Sequence, residues 1–251
     1  MEIDNVAAIV TGGGSGLGAA TAKLLTENGA KVTIFDRDVA AGKSSAQKSG
    51  AHFEECDVTD EANVRAALGA AEARHGIARI LVNCAGISDL IPTVGTDGVP
   101  HSLDAFRRII DINLVGTFNT LSQFSARLCT AGLIGEERGV IINTSSIAGF
   151  EGISGQAAYG ASKSAIIGMV LPIARDLAPH AIRIVALAPG TFLSPMVEAL
   201  PQEIKDMLAA GVPHPSRLGE PEEFARFVKC AINNPMLNGT TIRLDGAARL
   251  Q

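Results

Sequence analysis

Val6-Ala7-Ala8-Ile9-Val10-Thr11-Gly12-Gly13-Gly14-Ser15-Gly16-Leu17-Gly18 is the stretch on which the fold turns. Its first six residues are a short apolar run rich in β-branched side chains, the pattern of a buried strand. Four glycines follow within five residues, and Leu17–Glu27 then reads as a helix. Gly12, Gly16 and Gly18 make a GxxxGxG spacing. Such a turn leaves bare backbone where a pyrophosphate can approach, and it aims a helix N-terminus at the anion. A flexible glycine loop without a ligand is the plain alternative. The position between a strand and a helix argues against it.

Working outward, the same alternation continues. Further strands are expected at Ala30–Asp36, His52–Cys56, Ile80–Asn83, Val140–Asn143, Ile182–Ala186 and Thr241–Leu244. Helices are expected at Val39–Lys48, Glu61–His75, Leu103–Cys129, Ala157–Leu177, Met196–Leu208 and Glu222–Ile232. Glu220-Pro221-Glu222-Glu223 is a strong helix start, with proline and acids in the first turn. Strands that are continuous apolar runs are those of a parallel sheet covered on both faces. The expected class is α/β: one doubly wound (Rossmann) parallel sheet of about seven strands, with helices on both faces and a single domain over 1–251. Two insertions, Ser88–His101 and Thr130–Gly139, are too short to be domains.

Composition narrows the function. The net charge is −5 with no basic run, which disfavours a nucleic-acid surface. No unbroken apolar run approaches the ~18 residues of a membrane span. The opening Met1-Glu2-Ile3-Asp4-Asn5 is not a leader peptide. The four cysteines and five histidines are scattered, without metal-ligand spacing. These features predict a cytoplasmic protein with no metal, no nucleic-acid partner and no membrane partner.

Two further sites carry chemistry. Asp36 ends the second strand, eighteen residues beyond Gly18. A carboxylate there can accept from the adenosine ribose hydroxyls and repels a 2′-phosphate, so NAD is the expected dinucleotide, with the adjacent Arg37 the one feature pointing to the phosphorylated coenzyme. The chain's one tyrosine, Tyr159, stands four residues before Lys163, so the two share a helix face. A phenol with a pKa of about 10 is a poor base at neutral pH. A neighbouring ammonium lowers that value toward what an alcohol proton requires. Ser146 follows the strand Val140–Asn143, where its hydroxyl can hold a substrate oxygen.

On these residues the chain resembles the short-chain dehydrogenase/reductase family. The likeness covers Thr11–Gly18, Asp57-Val58, Asn83-Cys84-Ala85-Gly86, Asn113, Ser146, Tyr159–Lys163 and Pro189-Gly190, in the family's order. Residues 139–152, 155–179, 215–225 and 234–247 look like the family's type-2 3-hydroxyacyl-CoA dehydrogenase (type-10 17β-hydroxysteroid dehydrogenase) subgroup. The resemblance implies Tyr159 as general acid/base, Lys163 as its activator and nicotinamide-ribose ligand, and Ser146 as holder of the substrate oxygen. It implies that Asn113 holds a relay water and that Gly12, Ser15, Gly16 and Leu17 meet the pyrophosphate. Asp57 and Val58 would bracket the adenine, and Cys84 and Gly86 would line the crevice. Pro189, Phe192 and Ser194 would lie at the nicotinamide. A homotetramer is also implied. Cys84 and Ser194 depart from the wider family's commoner Asn and Thr; Cys84 reads as a small buried hydrophobe.

The expected reaction is hydride transfer between a secondary alcohol and its ketone, with a 3-hydroxyacyl-CoA as the first candidate in fatty acid metabolism. Against it stand an NADPH-dependent 3-oxoacyl-carrier-protein reductase, a hydroxysteroid or other alcohol dehydrogenase, and a noncatalytic dinucleotide-binding scaffold. Asp36 opposes the NADPH reading, and the Ser146/Tyr159/Lys163 set opposes the scaffold. Val197, Leu200, Ile204, Met207 and Leu208 fall at helical spacing, so Met196–Gly211 is either a lid over an apolar substrate or a helix packed on the core.

Overall fold

The computed structural model describes residues 1–250. Seven strands, β1 (Ala7–Thr11), β2 (Lys31–Asp36), β3 (His52–Glu55), β4 (Ile80–Asn83), β5 (Gly139–Thr144), β6 (Ile182–Pro189) and β7 (Thr240–Leu244), form one sheet in the order β3-β2-β1-β4-β5-β6-β7. Every neighbouring pair is parallel. The chain winds out from β1 to β3, then returns to β4 on the other side of β1. That reversal opens a crevice at the carboxyl ends of β1 and β4.

The alternation of side chains along each strand builds two cores. Ala8, Val10, Ile34, Val82, Ile142 and Val185 face one way and pack with Leu25, Phe224 and Val228. Those last three stand on α1 (Gly16–Glu27) and α9 (Pro221–Asn233). Ile9, Phe35, Leu81, Ile141 and Ile184 face the other way and pack with Leu68, Leu121, Phe124 and Leu128. These come from α3 (Glu61–His75) and α5 (Gly116–Leu128). Both sheet faces are dry, which is why the strands read as apolar runs rather than alternating ones.

Helix starts follow side-chain caps. Asp38 accepts from Ala41 N–H at the head of α2 (Val39–Ser49), and Asp60 accepts from Asn63 N–H at the head of α3. Glu220 and Glu223 close a capping box on α9, with Pro221 in its first turn.

Two expected helices are broken. The span expected over Leu103–Cys129 is α4 (Leu103–Ile110), a π-turn (Asp111–Val115) and α5. The extra residue of the π-turn accompanies an inward-facing Asn113 and lets Gly116 sit against Val58, whose methyl would be 2.6 Å from an added Cβ. Such turns concentrate at functional sites. The span expected over Met196–Leu208 is α7 (Pro195–Glu198) and α8 (Gln202–Ala210). Pro201 separates them, because it has no N–H to donate and biases Leu200 away from helical backbone.

The remaining helix, α6 (Ala157–Leu177), runs with the turn after it to His180 and is long and apolar enough to cross a membrane by length and composition. Here it lies against α4, β6 and β7.

Candidate active site

The predicted residues converge on the carboxyl edge of the sheet. Gly12 follows β1, Asp36 ends β2, Asp57 and Val58 follow β3, and Cys84 and Gly86 follow β4. Ser146 follows β5, and Pro189 ends β6. Phe192 and Ser194 come next and fold back toward the glycine turn: a Cβ on Gly16 would stand 3.5 Å from Ser194 and Pro195.

The glycine turn is built so that nothing fills the crevice. Gly12 and Gly16 have φ of +63° and +51°, open to glycine at little cost. A Cβ on Gly18 would meet the Gly12 carbonyl at 2.2 Å, so the helix can pack this close only when bare. Ser15 is exposed and makes no side-chain cap bond, which leaves its hydroxyl and the first N–H groups of α1 available. A dinucleotide pyrophosphate fits such a cradle. Leu17 lies half-buried against the core behind it.

Asp36 faces this turn. Its Oδ2 accepts from Gly14 N–H at 2.8 Å and its Oδ1 from Asp38 N–H at 3.0 Å. It has no ion-pair partner among the described residues, so its negative charge stays at the turn's outer end. Beside it, Asp57 accepts from both the N–H and the hydroxyl of Thr59, and these bonds hold its carboxyl below the usual range. Val58 is buried and accepts at its carbonyl from Asn119.

On the other side of the crevice Tyr159 and Lys163 rise from α6. The Ser146 hydroxyl stands near enough to the Tyr159 phenol to act on its pKa, and it accepts from Ala148 N–H. The Lys163 Nζ lies 5.6 Å from the Tyr159 ring centroid and donates to the Thr144 carbonyl at 2.8 Å. Burial pushes the Lys163 ammonium down to about 8. Burial also pushes the Tyr159 phenol above its ordinary value, and the neighbouring Ser146 hydroxyl pulls it only partway back. The expected lowering of the Tyr159 pKa by Lys163 is therefore not present in these side chains by themselves. The ammonium points at a backbone carbonyl rather than at the phenol.

Asn113 is completely buried on its π-turn. Its amide donates to the Ile87 carbonyl and to Ser162 Oγ, while its Oδ1 accepts from Ile87 N–H. Ser162 in turn donates to the Tyr159 carbonyl. Both Asn113 donors are spent, and one Oδ1 lone pair remains for a water. The residue braces the β4 loop against α6. Gly86 sits within that brace: a Cβ there would be 3.2 Å from Asn113 Oδ1 and 3.5 Å from Lys163 Nζ.

One residue serves differently from the expectation. Phe192 turns its ring into the core, edge-on to Phe224 at 6.4 Å, so only its backbone can reach the crevice. Cys84 accepts a hydrogen bond from Thr144, and burial pushes its thiol up to about 11, the state of an unreactive packing residue.

Sequence reasoning missed the support beneath the crevice. Asn83 accepts from Thr120 and donates to Asn143, and the Thr11 hydroxyl accepts from Ala85 N–H. Polar residues inside otherwise apolar strands were the available signal. The apolar side of α8 is uncovered: the helix buries no residue, and Ile204 and Met207 are 39% and 62% exposed. That opposes the alternative of a helix packed on the core.

The arrangement is that of an alcohol–ketone oxidoreductase, and comparison with known proteins agrees. Residues 6–205 match the family model described as short chain dehydrogenase. The chain is 47% identical to the 3-hydroxyacyl-CoA dehydrogenase type-2 of Rattus norvegicus over 260 residues, covering 100% of this chain and 97% of that protein. It is 36% identical to the ipsdienol dehydrogenase of Ips pini, covering 99% of each. The crystal structure of 3-hydroxyacyl-CoA dehydrogenase type-2 from Mycobacterium avium superposes with a TM-score of 0.94 at 39% identity, covering 98% of this chain and 97% of that one. With residues 6–205 matched by that model and a relative 47% identical over the whole chain, the chain belongs to the short-chain dehydrogenase family.

Proposed function

We propose that the chain oxidises a 3-hydroxyacyl-CoA to the 3-oxoacyl-CoA with NAD as coenzyme, working in the cytoplasm as a homotetramer without metal, nucleic-acid or membrane partners. The convergence of Ser146, Tyr159 and Lys163 at the carboxyl edge of the sheet carries the oxidoreductase reading. The relatives' names support the substrate, and Asp36 supports the coenzyme. NAD, when bound, supplies the hydride acceptor. Ser146 holds the substrate oxygen, and Tyr159 takes the hydroxyl proton. Lys163 keeps a positive charge within reach of the developing phenolate, and Asn113 keeps the β4 loop and α6 in register.

The coenzyme assignment is tested by comparing kcat/KM for NAD and NADP. The parent is expected to prefer NAD. Asp36→Ala is expected to lose about tenfold or more with NAD, the scale of a hydrogen bond to a charged group (~1.5–3 kcal/mol). It should also narrow the preference. A parent that prefers NADP would sink the assignment and point to Arg37.

The substrate assignment is tested over straight-chain acyl-CoAs, a steroid and simple secondary alcohols. The uncovered Ile204 and Met207 support the reading of α8 as a lid for an apolar chain. Efficiency should then rise with each methylene, up to ~0.8 kcal/mol per buried CH₂. Met207→Ala should harm long substrates more than short ones. A flat dependence would leave α8 without a substrate role, and a preference for alcohols lacking CoA would favour the ipsdienol dehydrogenase likeness instead.

A further inference from the structure

The turn that presents Ser146 is held from two sides. On one side it rests on α6: a Cβ on Gly149 would meet the Lys163 backbone at 2.9 Å, and Ser164 Oγ donates to the Gly149 carbonyl. On the other side it meets residues 245–250. Ile147, next to Ser146, packs with Ala248, Leu250 and Val212 in a small cluster separate from the main cores.

Charge fixes that second contact. Arg243 leaves β7 with three engagements: Nη1 to Glu151 at 2.7 Å, Nε to Asp245 at 2.6 Å and Nη2 to the Ala248 carbonyl at 3.0 Å. Its guanidinium also lies over the Phe150 ring at 5.2 Å. The other Glu151 oxygen accepts from Leu250 N–H at 3.1 Å. Phe150 and Glu151 directly follow the Ser146–Gly149 turn, and Glu151 and Arg243 are 92 residues apart in sequence. A planar fork that binds two carboxylates and stacks on a ring defines an orientation, which a lysine ammonium does not.

We infer that Arg243 is a positioning residue for the reaction: by locking Glu151 and Phe150 to residues 245–250, it fixes the turn that aims Ser146 at Tyr159 and the substrate oxygen. The clamp extends to the lid. Val212, just past α8, shares the cluster with Ile147, and a Cβ on Gly246 would meet Val212 at 2.6 Å. Movement of α8 and the placement of Ser146 therefore pass through one set of contacts.

The inference rests on Ser146 and Tyr159 being the reacting pair, and the test separates the two claims. Arg243→Met, Arg243→Lys and Glu151→Gln are compared with the parent for kcat, KM, the NAD dissociation constant, Tm and the pH dependence of alcohol oxidation. Arg243→Met should lower kcat about ten- to a hundredfold, the cost of a misplacement on the order of 1 Å. NAD affinity should stay unchanged. Because the neighbouring Ser146 hydroxyl lowers the Tyr159 pKa, a displaced Ser146 should move the limb on which oxidation rises with pH to higher pH. Lys163, the charged group beside Tyr159, is untouched by these variants. Arg243→Lys should recover only part of kcat, and Glu151→Gln should shift the same quantities less. If Arg243→Met lowers Tm but leaves kcat and the pH limb in place, the inference is overturned. If Arg243→Met does not fold, unchanged kcat and pH limb in Glu151→Gln overturn it equally. Near-normal turnover in Ser146→Ala and Tyr159→Phe would instead remove the active-site reading, whatever the Arg243 variants do.

Discussion

Tyr159→Phe is expected to lower turnover by roughly 10²–10⁴-fold or more, the range of a lost general acid/base, while NAD affinity stays near the parent value. The ring keeps its place on α6, so the fold loses only one hydroxyl, a change of about 1 kcal/mol in stability. No second tyrosine exists to take over. The nearby Lys163 is held by the Thr144 carbonyl and is not placed to receive the proton. Steady-state turnover, NAD titration and thermal melting on the purified variant check the three parts separately. Activity within a few-fold of the parent would show that the phenol is not the base.

Glu137→Ala is expected to cost stability rather than chemistry. Glu137 and Arg183 form a bidentate pair, Nε–Oε2 at 2.6 Å and Nη2–Oε1 at 3.2 Å, with side chains 7% and 8% exposed. The Met1 ammonium also reaches Glu137. Arg183 further donates to the carbonyls of Ala231, Ile232, Asn234 and Leu237, tying β6 to the end of α9 and the approach to β7. Removing the carboxylate leaves a buried guanidinium without its counter-charge. Such breakage costs about 3–5 kcal/mol, a large share of the ~5–15 kcal/mol that holds a domain folded.

Urea unfolding should show a lower midpoint at an unchanged slope. The effect also has a sign in pH. Burial pushes the Glu137 carboxyl up, but Arg183 pulls it further down, so its folded value lies below the ordinary one. The pair's contribution is then present above about pH 4.3 and fades as pH falls through the lower folded value. Parent and variant should converge in acid. A loss under ~1 kcal/mol at neutral pH would mean that the carbonyls and solvent already satisfy Arg183.

The sheet was legible because both its faces are dry. A strand buried on two sides is apolar at nearly every position, as Ile80–Asn83 and Ile182–Pro189 are but for Asn83 and Arg183, and such runs stand out between amphipathic helices. The glycine turn was legible because close approach of Gly18 to Gly12 admits no side chain. What stayed hidden depends on distance or on direction. Nothing near Asn113 announces a π-turn, and Val58, against which the following Gly116 sits, is more than fifty residues away. Phe192 was placed next to the nicotinamide by the family resemblance alone, which could not show its ring turned into the core. Arg243 and Glu151 are ordinary charged residues until the fold brings them together. Pro201 was visible, and the apolar spacing around it masked its effect.

The double engagement of Asp36 bears on how the proposed preference for NAD could change over generations. The carboxylate that would refuse an extra phosphate is also the strut on which Gly14 N–H hangs. A lineage exchanging it for a neutral residue would gain tolerance of NADP and slacken the turn that cradles either coenzyme. A switch in preference must therefore arrive with a second substitution that re-anchors Gly14, and single-step intermediates would bind both coenzymes poorly.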